Sequence, residues 1–267
     1  MKPTDYFAAH PVFRYEDFVA AHGASGLRSK QASAASLKQH VAAGNLLHVR
    51  RGLYATVPRG VDSHAWSPDP HLVASKLVDD AALAYHAALQ FHGRAYSVWS
   101  RFHYLTRKRS RPFYFRGTVF IPVQTPVAIR NRPEPGVGVR TMPYMGGEVR
   151  VTTLERALVD VFDAPDKGGG WEEIWRSLQM VEFFDLDAVV NYASLLGSAV
   201  TAARVGFFLE QHRETLMVEE QHLEALRELT PGQPRYFDAA RDPGRLISPW
   251  NLIVPERILR QQWGEVL

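Results

Sequence analysis

The chain has 267 residues, of which 46% are hydrophobic and 22% charged. This length predicts one large domain or two smaller ones, and the apolar content excludes a wholly disordered chain. Cysteine is absent, which excludes zinc fingers, iron–sulfur clusters, disulfide scaffolds and thiol nucleophiles. No apolar run approaches the ~18 residues of a membrane helix, and Asp5 and His10 precede any apolar stretch. We therefore expect a cytoplasmic protein with no membrane partner.

Charge is distributed unevenly along the chain. Residues 1–60 carry a net charge of +5 and residues 61–117 a net charge of +4, whereas residues 118–267 carry −6. A basic front half indicates a polyanionic partner. The alternative is a solvated surface in a protein that prefers arginine, since the chain has 25 Arg and 6 Lys.

The first 60 residues predict the order helix, loop, helix and hairpin. A short helix is expected over residues 15–21, a loop over residues 23–31 and a second helix over residues 32–43. In NLLHVRRGLYATV, apolar and polar residues alternate on both sides of Gly52, which predicts a β-hairpin. This order is typical of a winged helix-turn-helix, so we place a DNA-binding domain at residues 1–60.

The second predicted helix has the polarity of a recognition helix. Leu37 and Val41 lie on one side of the helix, and Ser36 and Gln39 lie on the other. Serine and glutamine side chains can contact base edges, whereas lysine and arginine neutralise phosphates. The candidate phosphate contacts are Lys30 and Lys38 in or beside the helix and Arg50 and Arg51 at the hairpin tip.

Residues 61–267 predict a larger α+β domain. Asp69-Pro70 gives a helix N-cap followed by proline at the first helical position. A second helix is expected near residues 82–91, strands between residues 97 and 153, and mainly helices thereafter. The helix after residue 152 is expected to begin with a capping box formed by Thr152 and Glu155.

The sequence gives no catalytic site, cofactor site or metal site. It contains no H-E-x-x-H motif and no G-x-S-x-G motif, and no lysine follows an acidic residue by two positions. Glu219 and His222 have the spacing of a carboxylate-bridged metal site, but no second such pair is visible, so we interpret them as a solvated helix face. His86 and His92 are interpreted as core or boundary histidines and not as ligands. We therefore predict that the protein is not an enzyme.

The chain resembles the AbiEi-type antitoxins of type IV toxin–antitoxin systems. The resemblance rests on four segments in the same order as in that family: GNLLHVRRGLYATVP, ALAYHAALQFHG, VTTLERALVD and WNLIVP. It implies a winged-helix transcriptional repressor of its own operon. By this similarity the DNA-contacting residues are Lys30, Ser33, Ser36, Lys38, Gln39, His40, Arg50 and Arg51.

The resemblance also implies the partners. They are double-stranded DNA of the protein's own promoter, bound at repeated half-sites, and a co-encoded nucleotidyltransferase-like toxin. The larger domain would counteract that toxin without a tight complex.

Two alternatives stay open at this point. One is a nuclease or nucleotidyltransferase that is targeted by the winged helix and holds a metal among Asp160, Asp163 and Asp166. The other is a protein-interaction module whose basic head is only a solvated surface.

Overall fold

The computed structural model describes residues 2–22, 27–132 and 136–263, and it confirms the α+β class. Contacts within the chain divide it into two compact units. The first unit comprises Met1–Leu83, Ser100–Val123 and Thr141–Val151, and the second comprises Ala84–Trp99, Gln124–Arg140 and Thr152–Leu267. Residues 1–60 therefore share a unit with later segments, and their folding as a separate domain stays a prediction.

The first unit begins with a small sheet and three helices. The elements are α1 (Pro3–Ala9), β1 (Val12–Arg14), α2 (Tyr15–Ala21), α3 (Leu27–Ala42), β2 (Leu46–Arg50) and β3 (Leu53–Thr56). Strand β3 lies between β1 and β2 and is antiparallel to both. The predicted helix at residues 15–21 and the predicted hairpin are confirmed, whereas α1 and β1 were not predicted.

Helix α3 begins earlier than the sequence predicted. Residues 27–31 are helical, so the predicted loop is wrong there, and residues 23–26 lie outside the described part of the chain. The reason is local, because four of the five residues in the segment LRSKQ are strong helix formers. The serine that suggested a loop is accommodated inside the helix.

The rest of the first unit is a helix and a larger sheet. The elements are α4 (Pro70–Lys76), β4 (Ala82–Leu83), β5 (Arg101–Thr106), β6 (Phe113–Phe115), β7 (Thr118–Gln124), β8 (Val139–Tyr144) and β9 (Gly147–Thr152). The strand order is β6-β7-β5-β4-β9-β8, with β4 antiparallel to β5 and parallel to β9. The Asp69 side chain accepts hydrogen bonds from the backbone N–H groups of His71 and Leu72, which confirms the predicted cap of α4.

The predicted helix near residues 82–91 is wrong at its start. Ala82 and Leu83 form a strand in the middle of the sheet, and the helix begins only at His86. Both strand residues are buried. A short apolar run that is buried on both faces has no alternation that distinguishes a strand from a buried helix.

The second unit is mainly helical. Its helices are α5 (His86–Phe91), α6 (Val127–Arg130), α7 (Leu154–Asp163), α8 (Pro165–Gly168), α9 (Trp171–Gln179), α10 (Leu186–Leu196), α11 (Ala199–Gln211), α12 (Glu220–Arg227) and α13 (Glu256–Leu259). A small sheet places β12 (Leu252–Pro255) between β10 (Arg235–Tyr236) and β11 (Gly244–Ile247), and a 3-10 helix spans Ser248–Trp250. Among the residues that the structure describes, no helix is both long enough and apolar enough to cross a membrane.

Helix α7 occupies the centre of the second unit, in contact with α5, α10 and α11. Its Phe162 meets Trp175 of α9 and Phe208 of α11, with ring centroids 5.5 and 5.4 Å away. Gly206 of α11 faces Trp250 so closely that a Cβ would lie 2.1 Å from the indole. The tight packing of α11 therefore needs glycine at that position.

The start of α7 differs from the predicted capping box. Thr152 ends strand β9, and Thr153 is the N-cap, whose hydroxyl accepts from the backbone N–H of Arg156. Glu155 does not cap its own helix, and instead its carboxylate accepts a hydrogen bond from the backbone N–H of Asp185. Because Thr152 belongs to the strand, the cap lies one position later than predicted, at Thr153.

Arg156 and Asp160, four residues apart on α7, form a buried ion pair. Arg156 Nε lies 3.2 Å from Asp160 Oδ2, and the two side chains are 1% and 2% exposed. The Tyr192 hydroxyl donates to Asp160 Oδ1 at 2.8 Å, and Arg156 also donates to the Val137 carbonyl. Burial raises the pKa of Asp160, while Arg156 and Tyr192 oppose that rise by stabilising the carboxylate.

We expect Arg156→Met to destabilise the protein by about 3–5 kcal/mol, because it leaves a buried carboxylate without its cation. The double variant Arg156→Met/Asp160→Leu, which removes both charges, is expected to cost less than the single variant. Urea unfolding followed by circular dichroism measures both. A single variant that is no less stable than the double variant would contradict the structural role of this pair.

Candidate nucleic-acid interface

An aromatic cluster lies beneath helix α3. It contains Tyr6, Phe7, Phe13, Phe18, Leu37 and Leu46, one or two residues from each of α1, β1, α2, α3 and β2, and all are at most 5% exposed. The Phe7 ring stacks on the rings of Phe13 and Phe18, with centroids 5.6 and 5.7 Å away. Burial also raises the pKa of Tyr6 to about 12, so its hydroxyl stays protonated. The cluster holds one face of α3 against α1, α2 and β2.

The opposite face of α3 is exposed. Among the helix side chains that the structure describes, only Leu37 is buried. The side chains of Lys38 and Gln39 are exposed on this face, whereas Lys30 is exposed in the first turns of the helix, on the same side as Leu37. Gln31 is exposed as well and was missed, because the sequence placed it in a loop. The exposed face is otherwise formed by alanines, namely Ala32, Ala35 and Ala42.

Three of the predicted contacts lie on the flanks of this face. Ser33, Ser36 and His40 are half-buried. The His40 ring lies edge-on to the Phe7 ring, with centroids 4.9 Å apart, and Asn45 Nδ2 lies 3.4 Å from His40 Nδ1. His40 therefore contributes to packing and has one ring edge left for an external contact.

The two hairpin arginines differ in their surroundings. Gly52 adopts φ +76°, the left-handed conformation that this turn requires and that glycine adopts without strain. Arg51 is exposed, and within the described part of the chain its side chain makes no hydrogen bond or ion pair. Arg50 is half-buried: it donates to the Leu77 carbonyl, and its guanidinium lies 5.6 Å from the centre of the Phe113 ring. Arg50 is therefore anchored inside the first unit, whereas Arg51 is free to bind.

Besides the Arg156–Asp160 pair, the second unit holds a buried titratable pair formed by His86 and Glu173. His86 stacks on Trp99 at 4.1 Å, and its Nε2 lies 3.0 Å from Glu173 Oε1. Burial lowers the pKa of His86 more than the carboxylate raises it. Burial alone would raise the pKa of Glu173, but the hydrogen bonds from Ser97 and His86 hold it below its usual range. The polar groups of His86, Glu173 and Ser97 are thus bonded to one another inside the core. This confirms His86 as a core histidine.

His92 is also confirmed as a core or boundary histidine. Its Nε2 donates to the Thr152 carbonyl at 2.8 Å, and burial lowers its pKa. The ring therefore joins the end of α5 to the residue that precedes the N-cap of α7.

The acidic residues of the enzymatic alternative have partners inside the second unit. Asp160 is paired with Arg156, Asp163 accepts a hydrogen bond from the Thr201 hydroxyl at 2.7 Å, and Asp166 lies 3.4 Å from Lys167.

Glu219 and His222 contact each other at the start of α12, where the backbone N–H of Glu219 donates to His222 Nδ1. In the ranges that the structure describes, no group of three ligating side chains is placed to hold a metal ion.

Comparison with known proteins gives a distant structural likeness. No protein-family model matches the chain, and no curated protein matches it by sequence. Among solved structures, the chain is similar to the RV2827C protein from Mycobacterium tuberculosis, known from a crystal structure. The likeness has a TM-score of 0.57 at 16% identity and covers 94% of this chain and 89% of that chain. At this identity it shows that the two chains share a fold.

We expect Leu37→Ala to destabilise the first unit by about 2–5 kcal/mol, because it leaves a cavity in the aromatic cluster. Gln39→Ala, two residues further along the same helix, is the matched control and is expected to change stability by less than about 0.5 kcal/mol. Urea unfolding followed by circular dichroism compares the two. Equal stability of the two variants would mean that the cluster does not hold α3.

Proposed function

We propose that residues 1–60 form a winged helix-turn-helix that binds duplex DNA. The single observation that carries this proposal is the exposed face of α3, which is held in place by the aromatic cluster and lies beside a hairpin with a free arginine. The element order helix, strand, helix, helix, strand, strand supports it, as does the antiparallel sheet β1-β3-β2. In this proposal α3 is the recognition helix and the β2–β3 hairpin is the wing.

The chemistry of the α3 face fits the major groove of DNA. A glutamine amide can donate to and accept from adenine in a bidentate pair, and Gln39 and Gln31 are both exposed. The alanines beside them let the helix backbone approach the base edges closely. Lys30 and Lys38 are placed to neutralise phosphates, and Ser33, Ser36 and His40 are assigned to the flanking sugar–phosphate contacts.

The hairpin arginines have separate roles in this proposal. Arg51 contacts a phosphate or the adjacent minor groove, because its side chain is exposed and unpaired within the described residues. Arg50 positions the wing through Leu77 and Phe113. One recognition helix reads too few bases for useful specificity, so we propose that two copies bind repeated half-sites.

We further propose that the protein is a cytoplasmic antitoxin and a transcriptional repressor of its own operon. This step rests on the resemblance of four segments to AbiEi-type antitoxins of type IV systems. The DNA is then the protein's own promoter. The larger C-terminal part counteracts a co-encoded nucleotidyltransferase-like toxin, without catalysis by this chain and without a tight complex.

Fluorescence anisotropy with DNA from upstream of the gene and with a scrambled duplex tests the DNA-binding proposal. We expect affinities that differ by a factor of order 10³ or more. Gln39→Ala is expected to lower affinity for the upstream duplex by about 1–3 kcal/mol and to leave the scrambled duplex unchanged. Arg51→Ala is expected to weaken binding to both duplexes. It is also expected to reduce the slope of log K against log salt by about 0.9, the value for one lost phosphate contact.

Gln233→Ala, an exposed glutamine in the second unit, is the matched control and is expected to bind as the wild type does. Equal and steeply salt-dependent binding to both duplexes would contradict sequence recognition by α3. An absence of binding to either duplex would contradict the DNA-binding proposal as a whole.

Co-expression with the product of the neighbouring gene tests the antitoxin proposal. We expect that product to arrest growth when expressed alone and to be tolerated when this chain is present. Lys38→Ala/Gln39→Ala is expected to release repression of the operon while still protecting the cell, because protection is assigned to the C-terminal part. Growth arrest that is equally severe with and without the wild-type chain would overturn the antitoxin assignment.

A further inference from the structure

A basic cleft of about 640 Å³ lies beside the hairpin tip in the first unit. Its lining brings together cations that are far apart in sequence: Arg14, Arg50, Arg51, Lys76 and Lys108. Only two acids, Glu16 and Asp79, line the same cleft. The cleft therefore places the wing, the end of α4 and the loop between β5 and β6 around one electropositive space.

Asp79 holds two of these cations in place. Its carboxylate pairs with Arg14 on one side, and its Oδ2 lies 2.6 Å from Lys108 Nζ on the other. The hydrogen bond from Lys108 and the charge of Arg14 lower the pKa of Asp79, so it is a carboxylate at neutral pH. Arg14 also donates from Nε to the Lys76 carbonyl at 2.8 Å. These contacts tie the β5–β6 loop to the end of β1.

The β5–β6 loop carries four cations within five residues, in the sequence RKRSR at residues 107–111. All four side chains are exposed. Lys108 is paired with Asp79, but within the described residues the side chains of Arg107, Arg109 and Arg111 make no hydrogen bond or ion pair.

The base of this loop is fixed. Asp80 accepts from the Thr106 hydroxyl and from the backbone N–H of Arg107, both at 2.7 Å. At its other end, Phe113 lies under the guanidinium of Arg50. Three arginines without internal partners are thus held next to the wing on an ordered base.

We propose that this cleft and the β5–β6 loop form a second phosphate-binding surface for duplex DNA, continuous with the wing. The inference rests on the proposed DNA-binding function and extends the contact surface beyond residues 1–60. Duplex DNA fits best because it presents a continuous row of phosphates, and Arg51, Arg107, Arg109 and Arg111 form a set of free guanidinium groups around and beside one cleft. The loop contacts supply affinity without sequence preference, since phosphates are the same at every base pair.

The test is the salt dependence of DNA binding by the full-length chain. We expect Arg107→Ala/Arg109→Ala/Arg111→Ala to reduce the slope of log K against log salt by about 2–3, at about 0.9 per lost phosphate contact. The affinity ratio between the upstream and the scrambled duplex is expected to stay as in the wild type. The charge-matched control is Arg132→Ala/Arg235→Ala/Arg241→Ala, which removes three exposed arginines of the second unit and is expected to keep the wild-type slope.

A second variant changes the slope in the opposite direction. Asp79→Asn removes the carboxylate that neutralises Arg14 and Lys108, so we expect a steeper slope and tighter binding to both duplexes. Asp79 is 65% exposed, so its replacement is expected to leave the fold intact, which circular dichroism checks.

The outcomes separate this inference from the proposed function. If the triple arginine variant of the β5–β6 loop has the same slope of log K against log salt as its control, the inference is overturned. It is also overturned if the variant lowers the slope for single-stranded RNA but not for the DNA duplexes. A third outcome is that the wild-type protein binds both duplexes equally while the loop variant still has a lower salt slope. This outcome contradicts sequence recognition by α3 but supports the second phosphate-binding surface.

Discussion

The packing of the aromatic cluster against α3 is the contact on which the rest of the account depends. Five N-terminal elements, α1, β1, α2, α3 and β2, each contribute one or two buried side chains to it, and Leu37 is the contribution of α3. Helices α1 and α2 have seven residues each and are too short to be stable alone, because isolated helices shorter than ~12–15 residues are marginal in water. Their mutual burial therefore both stabilises the elements and orients the exposed face of α3. A surface that reads DNA needs such a rigid support, since its side chains must meet base edges within a few tenths of an ångström.

The arginines of the first unit also fall into two groups, those that hold the structure together and those that are exposed for external contacts. Arg50 and Arg14 are bound to carbonyl groups and to Asp79, so they fix the geometry of the hairpin and the cleft. Arg51 and the arginines of residues 107–111 have no such internal partners in the described part of the chain. In the second unit the ionised residues are used differently, because Arg156 and Asp160 are buried against each other and Glu173 is closed in by His86 and Ser97. The basic front half that the sequence indicated is thus a set of specific positions in the first unit.

The sequence predicted turns and helix caps correctly where these depend on residues close together in the chain. The alternation around Gly52 predicted the hairpin, and Asp69-Pro70 predicted the start of α4. The strand at Ala82–Leu83 was mistaken for helix because its neighbours in the sheet, β5 and β9, come from distant parts of the chain. The anchoring of Arg50 could not be predicted either, since its partners Leu77 and Phe113 are 27 and 63 positions away. The basic run at residues 107–111 is visible in the sequence, but only the fold places it beside the wing.

The most direct test of the central claim is amide hydrogen exchange of the full-length chain, free and bound to DNA from upstream of its gene. The account predicts slower exchange on binding in α3, in the β2–β3 hairpin and in residues 107–111, with α9 and α11 of the second unit unchanged. Slower exchange confined to helices of the second unit, with α3 and the hairpin exchanging as in the free protein, would contradict it.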